Sequence, residues 1–235
     1  MKLKELSIAI IAKKEKENIE LFLHEILEYS DDVFVVDSNS NDGTKELCSK
    51  FNIRYINDNN LGKGDAQRVA ANHAKYENII FFDGDGSHDH NDIPRMYEIL
   101  YEKNTDCVIT SRITGGSLDV ISNISFIGFL RFTGSNLITL LFNRFFKTAH
   151  TETLYSFRGI KKKVFHNLKT KENGFGIELE MLYLLKKFNY NTKEFPSREK
   201  LRKFGYSKLN TISGIYFIYL IIKYYLNYVL NFKKN

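Results

Sequence analysis

The sequence predicts an α/β domain with a mostly parallel central sheet flanked by helices. Three observations carry this. Between residues 6 and 111, short apolar runs alternate with longer runs of helical periodicity. The short runs are nearly continuous in apolar residues rather than alternating, as expected of strands covered on both faces. Two of them end in an acid, VVD at 35–37 and FFD at 81–83. Carboxylates there lie where open parallel sheets bind ligands, beyond the carboxyl ends of the strands.

The elements follow in order. Residues 6–12 form a first buried strand; the run is too short for a leader peptide and breaks into Lys13-Lys14-Glu15-Lys16 without a clear cleavage site. Residues 15–29 place Ile19, Phe22, Leu23, Ile26 and Leu27 on one helical face. A strand at 33–37 leads through Asp42-Gly43-Thr44 into a helix reaching about residue 51. Strand 53–56, the Ala-rich helix 62–76, strand 79–82, helix 91–101 and strand 106–111 complete the alternation. The second half reads differently. It has an apolar aromatic helix at 123–146, a Lys-rich stretch at 161–171 and a helix at 174–188. A basic loop-like segment at 196–208 precedes a helix at 209–232.

Composition limits function. The chain has 235 residues and a net charge of +6, with apolar and charged fractions typical of a globular protein. Disorder, collagen and a multi-span membrane protein are excluded. The two cysteines, Cys48 and Cys107, form no CxxC pair, which fits a reducing compartment. The positive balance suits an anionic partner: nucleic acid, a phosphorylated substrate or an acidic membrane.

Three motifs carry chemistry. In Phe81-Phe82-Asp83-Gly84-Asp85, two acids flank a glycine at a strand end. Hard cations such as Mg2+ or Mn2+ take carboxylate oxygens and bridge diphosphates; the competing reading is a turn with solvated acids. Gly84 would let the backbone approach a ligand, and His88 is a possible further metal ligand. In VVDSNSNDGT, Asp37 is placed to accept hydrogen bonds from a base or ribose, whereas Asp42 is expected to cap the next helix. In Asn60-Leu61-Gly62-Lys63-Gly64, a lysine between glycines precedes a helix, an arrangement favouring anions. No GxGxxG follows the first strand and no GxxxxGK[ST] occurs, so dinucleotide binding and P-loop chemistry are unsupported.

Together and in this order, the motifs resemble glycosyltransferase family 2. VVDSNSNDGT is similar to the family's VVDDGSTDGT, NLGKG to its NxGKG, and FFDGDGSHDHNDIP to its DxD strand with the helix start after it. Ile109-Thr110-Ser111-Arg112 resembles its GSR segment. Further on come Arg131-Phe132-Thr133-Gly134-Ser135-Asn136, Glu152-Thr153-Leu154-Tyr155-Ser156-Phe157-Arg158 and Gly174-Phe175-Gly176-Ile177-Glu178-Leu179-Glu180. Arg202-Lys203-Phe204-Gly205-Tyr206-Ser207-Lys208 closes the series. This succession resembles the dolichyl-phosphate (polyprenyl-phosphate) mannose and glucose synthase branch. The opening turn departs from the family's Pro-x-Tyr-Asn-Glu, keeping only Glu15. Ser38 and Ser87 replace an Asp and a Gln of the pattern.

The resemblance implies a GT-A-type fold: a catalytic domain over 1–210 and a hydrophobic C-terminal helix over 211–235. It implies a UDP- or GDP-hexose donor, with Mg2+ or Mn2+ held by Asp83 and Asp85 across its diphosphate and Glu15, Asp37 and Lys63 near the nucleoside. A lipid phosphate acceptor would need no general base, only cations; Arg112, Arg131, Arg158, Arg202 and Lys208 match branch motifs. A sugar-hydroxyl acceptor would need a carboxylate base, for which Glu152, Glu178 and Glu180 are the candidates. Helix 209–232 carries one charge, Lys223, and is expected to lie at an interface or pack on the domain, with peripheral attachment to the cytoplasmic face of a membrane. A nucleic-acid-binding module is the competing class, motivated by the Lys161-Lys162-Lys163 run; the acids at the strand ends argue against it. A non-catalytic member of the family is the third reading.

Overall fold

The computed structural model describes residues 2–117, 126–206 and 213–232. Lys208 lies outside them, as do residues 123–125 of the expected helix 123–146. The strands are β1 (Leu6–Ala12), β2 (Asp32–Asp37), β3 (Arg54–Asn57), β4 (Asn78–Asp83), β5 (Cys107–Ser111), β6 (Arg158–Lys161) and β7 (Thr192–Pro196). The helices are α1 (Lys16–Tyr29), α2 (Thr44–Lys50), α3 (Lys63–His73), α4 (Ile93–Tyr101), α5 (Phe126–Phe146), α6 (Lys162–Leu168), α7 (Ile177–Lys187) and α8 (Ser213–Phe232).

One sheet of order β3-β2-β1-β4-β6-β5-β7 runs through the molecule. Every pairing is parallel except those of β6, which runs antiparallel between β4 and β5. The expected α/β architecture is therefore present. β6 and β7 are strands where the sequence offered no apolar run: β6 is Arg-Gly-Ile-Lys and the edge strand β7 is Thr-Lys-Glu-Phe-Pro.

The apolar strands feed a core on each face. On one side, Ile8, Ile10, Val35, Ile80 and Phe82 pack against α1, α2 and α4 through Ile19, Leu23, Leu47 and Met96. On the other, Ala9, Phe34, Phe81 and Ile109 pack under α3, α5, α6, α7 and α8. Full burial on both faces explains why these strands read as continuous apolar runs. α8 contributes Phe217, Leu220, Ile221 and Tyr224 to that second core, so of the two placements expected for it, packing on the domain is the one observed.

Close approach of backbone constrains two glycines that bear on the site. A Cβ on Gly64 would sit 2.1 Å from the Glu172 carbonyl oxygen, where the 172–174 backbone lies across the start of α3. A Cβ on Gly84 would come within 3.2 Å of the Ile11 carbonyl, whose oxygen accepts a 2.9 Å hydrogen bond from the Gly84 N–H. The approach that Gly84 permits in this structure is to β1 of its own sheet.

Gly64→Ala is expected to cost about 2 kcal/mol, because the clash is with backbone that cannot rotate away; urea unfolding measures it. A pH dependence follows from His150, next to the end of α5. Burial lowers its imidazole to about 4, and Arg158 and Lys186 add to the effect. An imidazole in the unfolded chain titrates near about 6.5. The folded state therefore keeps its full stability above that pH and loses stability as pH falls toward 4. Urea midpoints of His150→Gln should fall less steeply with pH over this window than those of the wild type.

Candidate active site

The site is built at the carboxyl edge of the sheet, where the loops after β1, β2, β4 and β5 converge. At its centre Asp83 ends β4 and Asp85 follows one residue beyond Gly84. Asp83 Oδ2 accepts hydrogen bonds from Lys63 Nζ at 2.7 Å and Ser156 Oγ at 2.6 Å. Burial works to raise the Asp83 pKa, but Lys63, His88 and the Ser156 hydroxyl outweigh it and hold the carboxyl at about 2, ionised. Lys63 stands between two acids, with Glu178 Oε1 3.6 Å from its ammonium. Burial opposes its charge; Asp83 and Glu178 overcome that and raise its pKa.

His88 is not directed outward as a metal ligand. Its side chain is fully buried, stacked on Phe157 at 4.6 Å, and its Nδ1 accepts from the Asp83 backbone N–H. Burial lowers its pKa to about 4, so it is neutral. It supports Asp83 from beneath.

Asp85 meets a segment from the far end of the chain. Residues 197–206, the basic stretch of the sequence, cross the mouth of the site. Arg202 hydrogen-bonds Asp85 Oδ2, and its Nη1 lies 3.6 Å from Glu15 Oε1. The segment is fastened along its length. Ser197 Oγ donates to Asp92, the Lys200 N–H to the Ser87 carbonyl at 2.8 Å, and Lys200 Nζ pairs with Asp89. Asn18, a buried residue of α1, holds Phe204 by both backbone groups at 3.1 Å each, and donates to Glu15 Oε2 at 2.7 Å.

A second ionic cluster lies beside the first. The Arg112 guanidinium binds Glu152 through Nε at 2.7 Å and through Nη2, and binds Glu199 through Nη1 at 3.0 Å. Glu152 also accepts the Arg112 backbone N–H at 2.8 Å. The guanidinium covers the Tyr155 ring at 4.8 Å. Burial disfavours the Arg112 charge, yet the two glutamates raise its pKa.

Four other residues singled out in the sequence have the following settings. Asp37 is fully buried, and its oxygens accept from Ser40 N–H at 2.6 Å, Ser40 Oγ at 2.7 Å and Tyr55 OH at 2.8 Å. Its carboxylate shapes the 37–42 turn from inside. Asp42 closes the turn before α2, accepting from Thr44 N–H and Oγ1 and from the Lys16 N–H. Arg158 is not a surface cation: it is fully buried and donates to the carbonyls of Thr153, Tyr155 and Glu178. Arg131 is exposed on α5.

Asn18, Ser156, Glu199 and Tyr55 were not singled out in the sequence. A polar residue on the buried stripe of α1, such as Asn18, was the one signal present there.

Asp83 and Asp85 suit a hard divalent cation by donor type. Among the described residues no cluster of three or more metal-capable side chains occurs. Two carboxylates fit a cation that completes its shell with phosphate oxygens and water, as Mg2+ commonly does. They do not fit an all-protein cage.

These features define an α/β domain with paired acids and interleaved cations at the mouth of its parallel strands. The pattern of Glycosyl transferase family 2 matches residues 7–169, and the chain belongs to that family. Glycosyltransferase AglJ of Haloferax volcanii is 27% identical over 170 residues, 70% of this chain and 52% of that protein. The chain thus spans about half of AglJ. Protein MJ1222 of Methanocaldococcus jannaschii, whose function is uncharacterised, is 27% identical over 197 residues, covering 81% and 79% of the two chains. Among solved structures, glucosyl-3-phosphoglycerate synthase of Mycobacterium tuberculosis with bound UDP superposes with a TM-score of 0.70 at 16% identity, covering 94% of this chain and 79% of that one. The same enzyme with Mn2+, UDP and glucosyl-3-phosphoglycerate superposes at 0.68, again at 16% identity, covering 92% and 79%. These likenesses show a shared GT-A-like fold.

Glu152→Ala would leave the Arg112 charge half-paired in a buried setting. It is expected to destabilise the fold by about 3 kcal/mol, measured by urea unfolding, with Glu152→Gln costing less.

Proposed function

We propose that the protein is an inverting glycosyltransferase that moves a hexose from a nucleotide-diphospho-sugar to a polyprenyl phosphate at a membrane surface. The observation that carries the acceptor is the state of the three glutamates a hydroxyl acceptor would need. Glu152 is occupied by Arg112. Glu180 accepts the Lys171 and Glu172 backbone N–H groups, each at 2.8 Å. Glu178 is buried beside Lys63. None of the three is presented as a base, whereas a phosphate acceptor arrives already ionised and needs none.

In this reading Asp83 and Asp85 would hold Mg2+ or Mn2+, which would offset the charge developing on the leaving nucleoside diphosphate. The fold's UDP- and Mn2+-bound relative supports a donor of that kind. Lys63, at the start of α3, faces the same diphosphate charge, and Glu15 borders the nucleoside end. The acceptor's phosphate oxygen attacks the anomeric carbon opposite the leaving group, which gives inversion. Arg131, Arg202 and Lys208 are the cations proposed to bring a second anion beside the first, Arg112 being taken up by Glu152 and Glu199; a planar guanidinium suits phosphate.

The membrane surface is supported by α8. Its outer face exposes Ile215, Tyr219, Ile222, Leu226 and Leu230, and α5 adds Leu137 and Leu140. From residue 200 to 235 the chain has seven Lys or Arg and no Asp or Glu, which complements anionic lipid. Among the described residues no helix is long and apolar enough to cross a membrane, so attachment would be peripheral. The free, buried thiols Cys48 and Cys107 agree with the cytoplasmic face.

A second acceptor deserves a parallel assay: the structural relative carries phosphoglyceric acid in one complex, a soluble phosphate-bearing acceptor. Labelled UDP- and GDP-hexoses should be offered with polyprenyl phosphate, with phosphoglycerate and with a neutral saccharide. Transfer to polyprenyl phosphate is the expected result; transfer only to a saccharide hydroxyl overturns the acceptor. Asp85→Ala should lower kcat/KM by about a thousandfold while circular dichroism shows the fold retained.

A further inference from the structure

Four cations described at this site are paired with its acids. Lys63 lies on Asp83, Arg112 on Glu152 and Glu199, Lys200 on Asp89, and Arg202 on Asp85 with Glu15 nearby. The Arg202 pair differs from the rest in construction. Its guanidinium comes from the segment fastened over the mouth, so a contact 117 residues apart in sequence depends on that segment's attachment. On the C-terminal side of Arg202 the attachment is Asn18, whose amide clamps Phe204 by both backbone groups and holds Glu15 with the same Nδ2. The Arg202 Nη1 also donates to the Tyr206 carbonyl at 2.6 Å, which fixes its plane. Arg202 and Asp85 keep only 19% and 17% of their side-chain surface exposed, so their attraction is screened less than that of a surface pair.

We propose that Arg202 is a built-in counter-cation that occupies Asp85 until a divalent metal takes its place, and that the released guanidinium then becomes a ligand for the acceptor's phosphate. This rests on the reading above that Asp85 binds metal. The charge argument is direct. A carboxylate oxygen engaged by a guanidinium is not available to a metal at full strength, so the two cations compete. Likewise a guanidinium neutralised by Asp85 and Glu15 attracts a phosphate weakly. Metal entry removes one of its two acids and leaves the cation at the mouth with donors to spare. Binding of the two anionic substrates is thereby ordered: the metal-bearing donor first, the acceptor phosphate second. Asn18 is a positioning residue in this scheme, since it sets where the segment carrying Arg202 lies.

The test uses the full chain and two probes, Mn2+ alone and inorganic phosphate. Calorimetric titration of Mn2+ should give an affinity about tenfold higher for Arg202→Gln than for wild type, equivalent to about 1.4 kcal/mol. Arg202→Lys should fall between them, and Asn18→Ala should shift toward Arg202→Gln. Asp85→Asn should remove the binding. Phosphate should bind wild type more tightly with Mn2+ present than without it, and Arg202→Gln should lose that gain. Equal Mn2+ affinities for wild type and Arg202→Gln, with Asp85→Asn still deficient, overturn the exchange and leave the metal site standing. Mn2+ binding unaffected by Asp85→Asn, or absent from every variant, overturns the metal site and the exchange with it. A gain in phosphate affinity that persists in Arg202→Gln assigns the anion to the metal instead and overturns the acceptor role. An Asn18→Ala variant that matches wild type in Mn2+ affinity overturns the positioning role.

Discussion

The arrangement at the site depends on a guanidinium that never reaches it. Arg158 begins β6, the lone antiparallel strand, and is buried completely between β4 and β5. Burial presses its pKa down, against the attraction of Glu178 and Glu152. Its donors go instead to three carbonyls, those of Thr153, Tyr155 and Glu178. Each neighbours a working residue. Thr153 follows Glu152, which holds Arg112; Tyr155 precedes Ser156, which donates to Asp83; Glu178 itself lies beside Lys63. A buried charge satisfied by backbone oxygens is costly to disturb, because losing any one partner leaves a donor stranded. The same constraint therefore sets the loop 152–157 and the start of α7 relative to β4, and both ionic clusters inherit their geometry from it.

The glycines of the 60–64 loop add the complementary half. Because Gly64 has no side chain, residues 172–174 can lie on the start of α3, and the Gly64 N–H donates to the Asn173 carbonyl at 2.7 Å. That contact fixes where Lys63 emerges. The same loop is tied outward to α8, since Glu172 accepts from Tyr216 OH at 2.5 Å and Tyr224 OH at 3.2 Å. The C-terminal helix, with its exposed apolar face, and the Lys63–Asp83 pair thus share one short stretch of backbone. A helix expected from sequence to lie at an interface or pack on the domain is packed two contacts away from the Lys63–Asp83 pair.

What the sequence made legible follows from how its information is stored. β1 to β5 and α1 to α4 rest on apolar periodicity, a local property, and all nine are present within a few residues of their expected bounds. β6 and β7 were not readable. In β6 the decisive residue is a buried arginine, which imitates an exposed one in any local reading. β7 is an edge strand with half-exposed charged residues, held by pairing with β5 rather than by its own composition. The acids at strand ends were visible as positions. Their partners were not, because Asp83 to Lys63, Asp85 to Arg202 and Arg112 to Glu199 each join distant segments.

The same distinction separates Asp37, which ends one apolar run, from Asp85, which lies two residues past the end of another. Asp37 lies within a turn whose own serine and the neighbouring Tyr55 fill its oxygens, so its charge is spent on local shape. Asp85 lies past the turn glycine. Only the Ser87 N–H comes to it from its own loop, and its other oxygen is met by a cation borrowed from the far end of the chain. An acid satisfied by its own turn is committed once the chain folds. An acid satisfied by a borrowed cation can exchange that partner for another without unfolding anything, and that is the ground on which Asp85, rather than Asp37, is proposed as the group at which ligand charge enters this site.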